Sequence, residues 1–136
     1  MNRRPISWIL DFASKLPNDE EKIKCLRANN HKAILTILQF CYHPGVEWVI
    51  PSGEPPYTPA HDSYEGALYD AAKRLYLFVK GGNDNLDIVK REMLFVKMLE
   101  EVLPEDAKLL LSIKEKKLPY PGLNEKLVRV AFPDIF

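Results

Sequence analysis

Ala33-Ile34-Leu35-Thr36-Ile37-Leu38-Gln39-Phe40-Cys41 is apolar on nearly every side, and a helix without a polar face belongs at the centre of a bundle. The periodicity to either side is helical too. Upstream, Ile6, Ile9, Ala13 and Leu16 recur at helix spacing behind Pro5, a residue suited to a first turn. Pro17-Asn18 ends that helix and opens the next. Asn18 can cap, Glu21 stands three residues on, and Asp19 and Glu20 suit the positive helix end. Downstream, Tyr64, Ala67, Leu68, Ala71, Leu75, Phe78 and Val79 make one amphipathic stripe, with Ser63 as its cap and Gly81-Gly82 as its stop. Asn83-Asp84-Asn85 then offers caps for a long helix from about Leu86 to Val102. Pro104, Glu105 and Asp106 open another through Leu109, Leu110 and Ile113, closing on Lys114, Lys116 and Lys117. A last helix runs from about Asn124 to Phe132, stopped by Pro133. The expectation is a single all-α domain over residues 1–136, a bundle of six to seven helices with no sheet.

Between the central helix and the amphipathic stripe lies Pro44 to Asp62, with five prolines (Pro44, Pro51, Pro55, Pro56, Pro59) and two glycines. Val46-Glu47-Trp48-Val49-Ile50 reads as a short extended piece within it. Loops this long are uncommon in compact domains and often functional. Two overlapping readings stand. One is an ordered strap over helices, its prolines lowering the entropy of the unfolded chain; the other is a binding loop. Trp48, Glu54 and Tyr57 are the residues a protein partner would meet there, unless the two rings tuck beneath the loop.

At 136 residues the chain has the size of one domain with a real core. Hydrophobic residues at 46% and charged residues at 28% exclude a disordered chain. Lys plus Arg number 19 and Asp plus Glu 19, a balance that excludes non-specific coating of nucleic acid and leaves room only for a local basic face. Cys25 and Cys41 sit in apolar helical patterns and read as small buried hydrophobes in a reducing compartment. No apolar run approaches the roughly 18 residues of a membrane span, and Met1-Asn2-Arg3-Arg4-Pro5 lacks a signal-peptide core. A soluble cytoplasmic protein with no membrane partner is expected.

Catalytic constellations are thin. His31, His43, His61 and the two cysteines match no zinc spacing. His61-Asp62-Ser63 holds triad residue types, but adjacent residues do not face one another as nucleophile, base and orienter. Gly81-Gly82-Asn83-Asp84-Asn85 lacks the Gly-Lys-Ser/Thr of a phosphate loop, and no lysine stands in a Lys-x-Asp-Gly setting. No enzyme, cofactor, metal or small-molecule substrate is expected. Binding signals are better. The Gly122 turn hands the chain to a helix start, where free backbone N–H groups favour anions. Lys114, Lys116 and Lys117 precede that turn, and Lys126 and Arg129 follow it. With Tyr120 and Gly122 they form a candidate nucleic-acid-binding set. Glu115 and Glu125 interleave, and lysines at helix ends also serve ordinary dipole matching. Arg3 and Arg4 form a short basic arm, either solvated or in contact.

Two resemblances add to this reading. Tyr42 to Tyr57, Arg74 to Leu86, Lys90-Arg91-Glu92 and the Gly122 segment look like a family of uncharacterised small proteins from tailed phages, notably T4-like cyanophages. That resemblance covers nearly the whole chain and implies a phage protein acting in the host cytoplasm. The layout is also similar to the all-helical N-terminal DNA-binding domain of ATP-dependent DNA ligases. The Ile6 to Ala28 helix pair, the Tyr42 to Pro55 loop, the Gly81 to Leu86 junction and the closing Gly122 helix appear in corresponding order. Gly122, Leu123, Leu127, Val128 and Ala131 follow the ligase closing pattern. This second resemblance implies phosphate contacts to duplex DNA at helix starts, without sequence readout. The chain departs from it where Tyr120 replaces the usual arginine, where Glu47 and Glu54 replace loop lysines, and where the nucleotidyltransferase domain is missing.

The leading expectation is therefore a non-enzymatic accessory protein that binds duplex DNA through backbone phosphates, with a log–log salt slope of roughly −3 to −5. The alternative is a protein-interaction module that engages a phage or host replication or transcription protein. A continuous positive face at Gly122 would support the first. A mixed surface with an exposed apolar patch at the proline loop would support the second.

Overall fold

Lys32–Tyr42 forms the central helix that its apolar run requires, with Ile37, Leu38 and Cys41 fully out of water. A computed structural model describes residues 4–136. Among them the chain forms seven α-helices and no strand: α1 (Ile6–Ser14), α2 (Asp19–Ala28), α3 (Lys32–Tyr42), α4 (Ala67–Ala71), α5 (Ile88–Glu101), α6 (Pro104–Ile113) and α7 (Glu125–Ala131). Two 3₁₀ helices, Ala72–Phe78 and Pro133–Ile135, complete it. The basic arm lies partly outside the described residues, since Arg3 is not among them.

Local signals set most boundaries. The Asn18 side chain accepts a hydrogen bond from the Glu21 N–H at 2.9 Å and starts α2. Asn124 does the same for Leu127 at the start of α7. The stripe from Tyr64 to Val79 is not one helix. After α4 it tightens into the 3₁₀ segment, whose three-residue turn stacks Ala72, Leu75 and Phe78 in line, and all three are buried. Ser63 does not cap it; its hydroxyl donates to the Glu101 carbonyl at 2.6 Å. The long helix starts at Ile88 behind Asp87, whose carboxylate accepts from the Lys90 N–H. Asp84 instead accepts from the N–H of Gly81, whose φ of 89° suits glycine.

α1 has no cap of its own. Pro5 precedes it without a side-chain bond, and the Ser7 N–H instead donates to Asp106 Oδ1 on α6 at 3.0 Å. Asp106 is fully buried, and among the described residues its Oδ2 has no hydrogen-bond partner. Burial raises its carboxyl pKa, against the lowering effect of the Ser7 bonds and with a further push from Glu105. The native state therefore takes up this proton at a higher pH than the unfolded chain does. As pH falls through the raised value, wild type gains stability relative to Asp106→Asn, which has no proton to take up. Urea midpoints of both proteins, near neutral pH and at about pH 4, should show the difference moving toward wild type in acid. A pH-independent difference would mean that the buried carboxylate does not titrate as its surroundings demand.

Candidate interaction surface

The cations read from sequence as a phosphate cradle are largely turned toward the protein's own carbonyls. Lys114 is 1% exposed at its side chain and pairs with Glu115 at 2.6 Å, while donating to the Pro51 carbonyl. The Lys114 bond to Glu115, with one from the Gly53 N–H, holds the Glu115 carboxyl below its usual range. Lys116 donates to the carbonyls of Phe40, His43 and Val46 at 3.3, 2.9 and 3.0 Å. Tyr120 is buried, and Gly122 lies directly against the Ser14 backbone. Arg129 pairs with Glu125 at 2.7 Å and lies over the Phe136 ring. Of the seven residues, Lys117 and Lys126 are exposed and make no side-chain hydrogen bond or ion pair among the described residues.

The helix start is partly occupied as well. The Asn124 side chain accepts from the Leu127 N–H of α7, and Glu125 stands in its first turn. Lys22 reaches the Gly122 carbonyl at 2.9 Å, and Arg27 reaches the carbonyls of Val130 and Ala131 at the far end of α7. These cations fasten α2 to α7 from both ends. Five of the seven residues read as a phosphate cradle serve packing or internal hydrogen bonding.

The proline segment is built as a strap. Trp48 bridges to Val79 in antiparallel fashion, with Val49 N–H on the Phe78 carbonyl and Lys80 N–H on the Glu47 carbonyl, both at 2.8 Å. The indole tucks inward. Its Nε1–H donates to the Phe40 carbonyl at 2.9 Å, and its ring meets Phe40 and Phe95 edge to face. Tyr57 is half-buried against the core. Further along, the Gly53 N–H bonds Glu115 and the Thr58 N–H bonds Glu100, at 2.8 and 2.7 Å. Of the three residues expected to face a partner, Glu54 stays exposed on the strap, while Trp48 and Tyr57 lie partly beneath it.

Pinned this way, Ile50 to Pro56 stands beside α5 and leaves a groove of about 510 Å³. Its floor was not anticipated. On α5 the core side carries Arg91, Phe95, Met98 and Leu99, while Val89, Met93 and Val96 form a second stripe that lines the groove. Val89 is 63% and Met93 67% exposed. The signal was present as a second i, i+4, i+7 set on one helix. Around these side chains stand Glu54, Glu92 and Glu100 against a single cation, Lys97. The surface is therefore an apolar trough with an acidic rim.

Burial pushes the Cys41 thiol up to about 12, so it stays protonated at neutral pH. His31 accepts from the Ala33 N–H and His43 from the Gly45 N–H. Among the described residues no cluster of three His, Cys, Asp or Glu side chains could hold a metal, and no helix is long and apolar enough to cross a membrane. Compared with known proteins, residues 9–120 match a family model described as a family of unknown function. No curated protein and no solved structure matches the chain.

Proposed function

The chain belongs to that family, DUF6433, and we propose that this member is a non-catalytic module that docks another protein in the groove between strap and α5. One observation carries the proposal: Val89 and Met93, at helical spacing, turn out of the core into a trough walled by Ile50, Pro51, Pro55 and Pro56. Contiguous exposed apolar surface of this kind marks interaction sites. The acidic rim selects the occupant. An apolar segment flanked by lysine or arginine fits, in the manner of a helix laid into a groove. The resemblance to tailed-phage proteins supports a phage or host replication or transcription protein as that partner, met in the host cytoplasm. A ligase-type helical scaffold turned from DNA to protein is part of the same proposal.

The test is a fluorescence-anisotropy titration with a helical peptide bearing leucines at i, i+4 and i+7 and lysines at its flanks. It should bind at least tenfold tighter than its glutamate-flanked counterpart, and Met93→Asp should abolish the difference. Equal weak binding of both peptides would sink the groove reading. Duplex DNA is the competing occupant. With Lys117 and Lys126 as the free cations of the old cradle, DNA binding there would carry a salt slope no steeper than about −2. Steep, salt-sensitive binding to a nicked duplex would overturn the protein reading.

A further inference from the structure

The groove calls for an apolar segment with a basic flank, and the chain carries one on α1. Trp8 and Phe12 are 45% and 48% exposed, and their rings stack at 5.3 Å with 9° between planes. The Arg4 guanidinium lies over Trp8 at 4.7 Å. Arg4, Trp8 and Phe12 thus form a continuous ladder at i, i+4 and i+8. The one acid beside it on the helix, Asp11, is neutralised by Lys15 at 3.0 Å. The hollow flanking the ladder, bounded also by Ala28, Asn29 and Asn30, contains no carboxylate among the described residues.

Resting on the docking reading above, we infer that the groove of one copy, when no other partner holds it, receives the Trp8–Phe12 face of a second copy. Each surface supplies what the other lacks. The trough has exposed aliphatic side chains and three carboxylates around one ammonium; the ladder has two exposed aromatic faces and an arginine at its end. A cavity of about 510 Å³ falls in the range that accommodates groups of this bulk. The formal net charge of zero removes the long-range repulsion that would keep copies apart. The ladder and the groove are different patches of one surface. A single such contact leaves one ladder and one groove open; these either close on each other about a two-fold axis or add further copies head to tail into a larger ring or an open chain.

Sedimentation velocity of the full chain over a wide concentration range tests this. Wild type should form dimers or larger species as concentration rises. Trp8→Asp and Met93→Asp should each stay monomeric at the same concentrations, with association weakened at least tenfold. Mixed together, the two variants should form a one-to-one heterodimer and nothing larger, because one intact ladder then meets one intact groove. Both side chains are exposed, so far-UV circular dichroism and urea midpoints should match wild type; Val89→Asp serves as a second groove variant. A monomeric wild type, oligomers that survive either substitution, or a mixture that stays monomeric would each overturn the inference. A wild type that stays monomeric yet binds the lysine-flanked peptide overturns self-docking alone. One that does neither overturns the docking reading with it.

Discussion

Gly122→Ala is expected to destabilise the protein by about 3 kcal/mol, a fall of roughly 10 °C in melting temperature for a chain of this size. A methyl group at this position would stand 1.9 Å from the Ser14 carbonyl oxygen and 2.8 Å from its carbon. Those are backbone atoms, so no rotamer change relieves the overlap. Either the end of α1 or the Tyr120 to Asn124 turn has to move. The turn is held by the Leu123 N–H on the Tyr120 carbonyl and by Lys22 on the Gly122 carbonyl, both at 2.9 Å. Shifting it would drag α7 off α2. Gly66→Ala is the control, because there the neighbouring atoms belong to the Tyr64 ring, which can swing aside. Thermal unfolding of the two variants separates close packing from a phosphate-binding turn. If Gly122→Ala kept the wild-type midpoint and lost only DNA affinity, the anion-site reading of this turn would return.

Helix identities could be read from the chain because their signals are local. The run from Ala33 to Cys41, the Asn18–Glu21 cap and Pro104 at a first turn all act within a few residues. The 3₁₀ segment was hidden because Ala72, Leu75 and Phe78 repeat every three residues, a spacing an α-helix also tolerates. The direction of the cations was hidden for a different reason. Lys22, Arg27, Lys114, Lys116 and Arg129 each donate to a carbonyl more than 60 residues away. No spacing rule along the chain tells a lysine that caps a distant helix end from one facing a phosphate. The groove lay between these cases. Its stripe on α5 is local, but only the folded strap turns that stripe into a walled site.

Lys116→Met is expected to cost about 3 kcal/mol, the loss of charge-assisted hydrogen bonds from partly buried acceptors. The ammonium sits at the end of α3, where Phe40 and His43 present carbonyls with no further helix to receive them. It also holds Val46, the first residue of the extended strap. Phe40 keeps a donor in the Trp48 indole and His43 keeps one in the Val46 N–H, so the acceptor left uncovered is that of Val46. Lys116 has a φ of 64°; methionine keeps that backbone strain and removes only the ammonium. Lys116→Gly should therefore lose less than Lys116→Met, since glycine relieves roughly 1 kcal/mol at such a position. Because the strap is one wall of the groove, the loss should reach the site. Native-state hydrogen exchange at the Val49 and Lys80 amides, which close the Trp48–Val79 bridge, should quicken in Lys116→Met. Affinity for the lysine-flanked peptide should fall with it, although Lys116 does not line the groove. A variant with unchanged stability and exchange would show that this ammonium is not fastening the strap to α3, and would return Lys116 to the surface charges available for a phosphate.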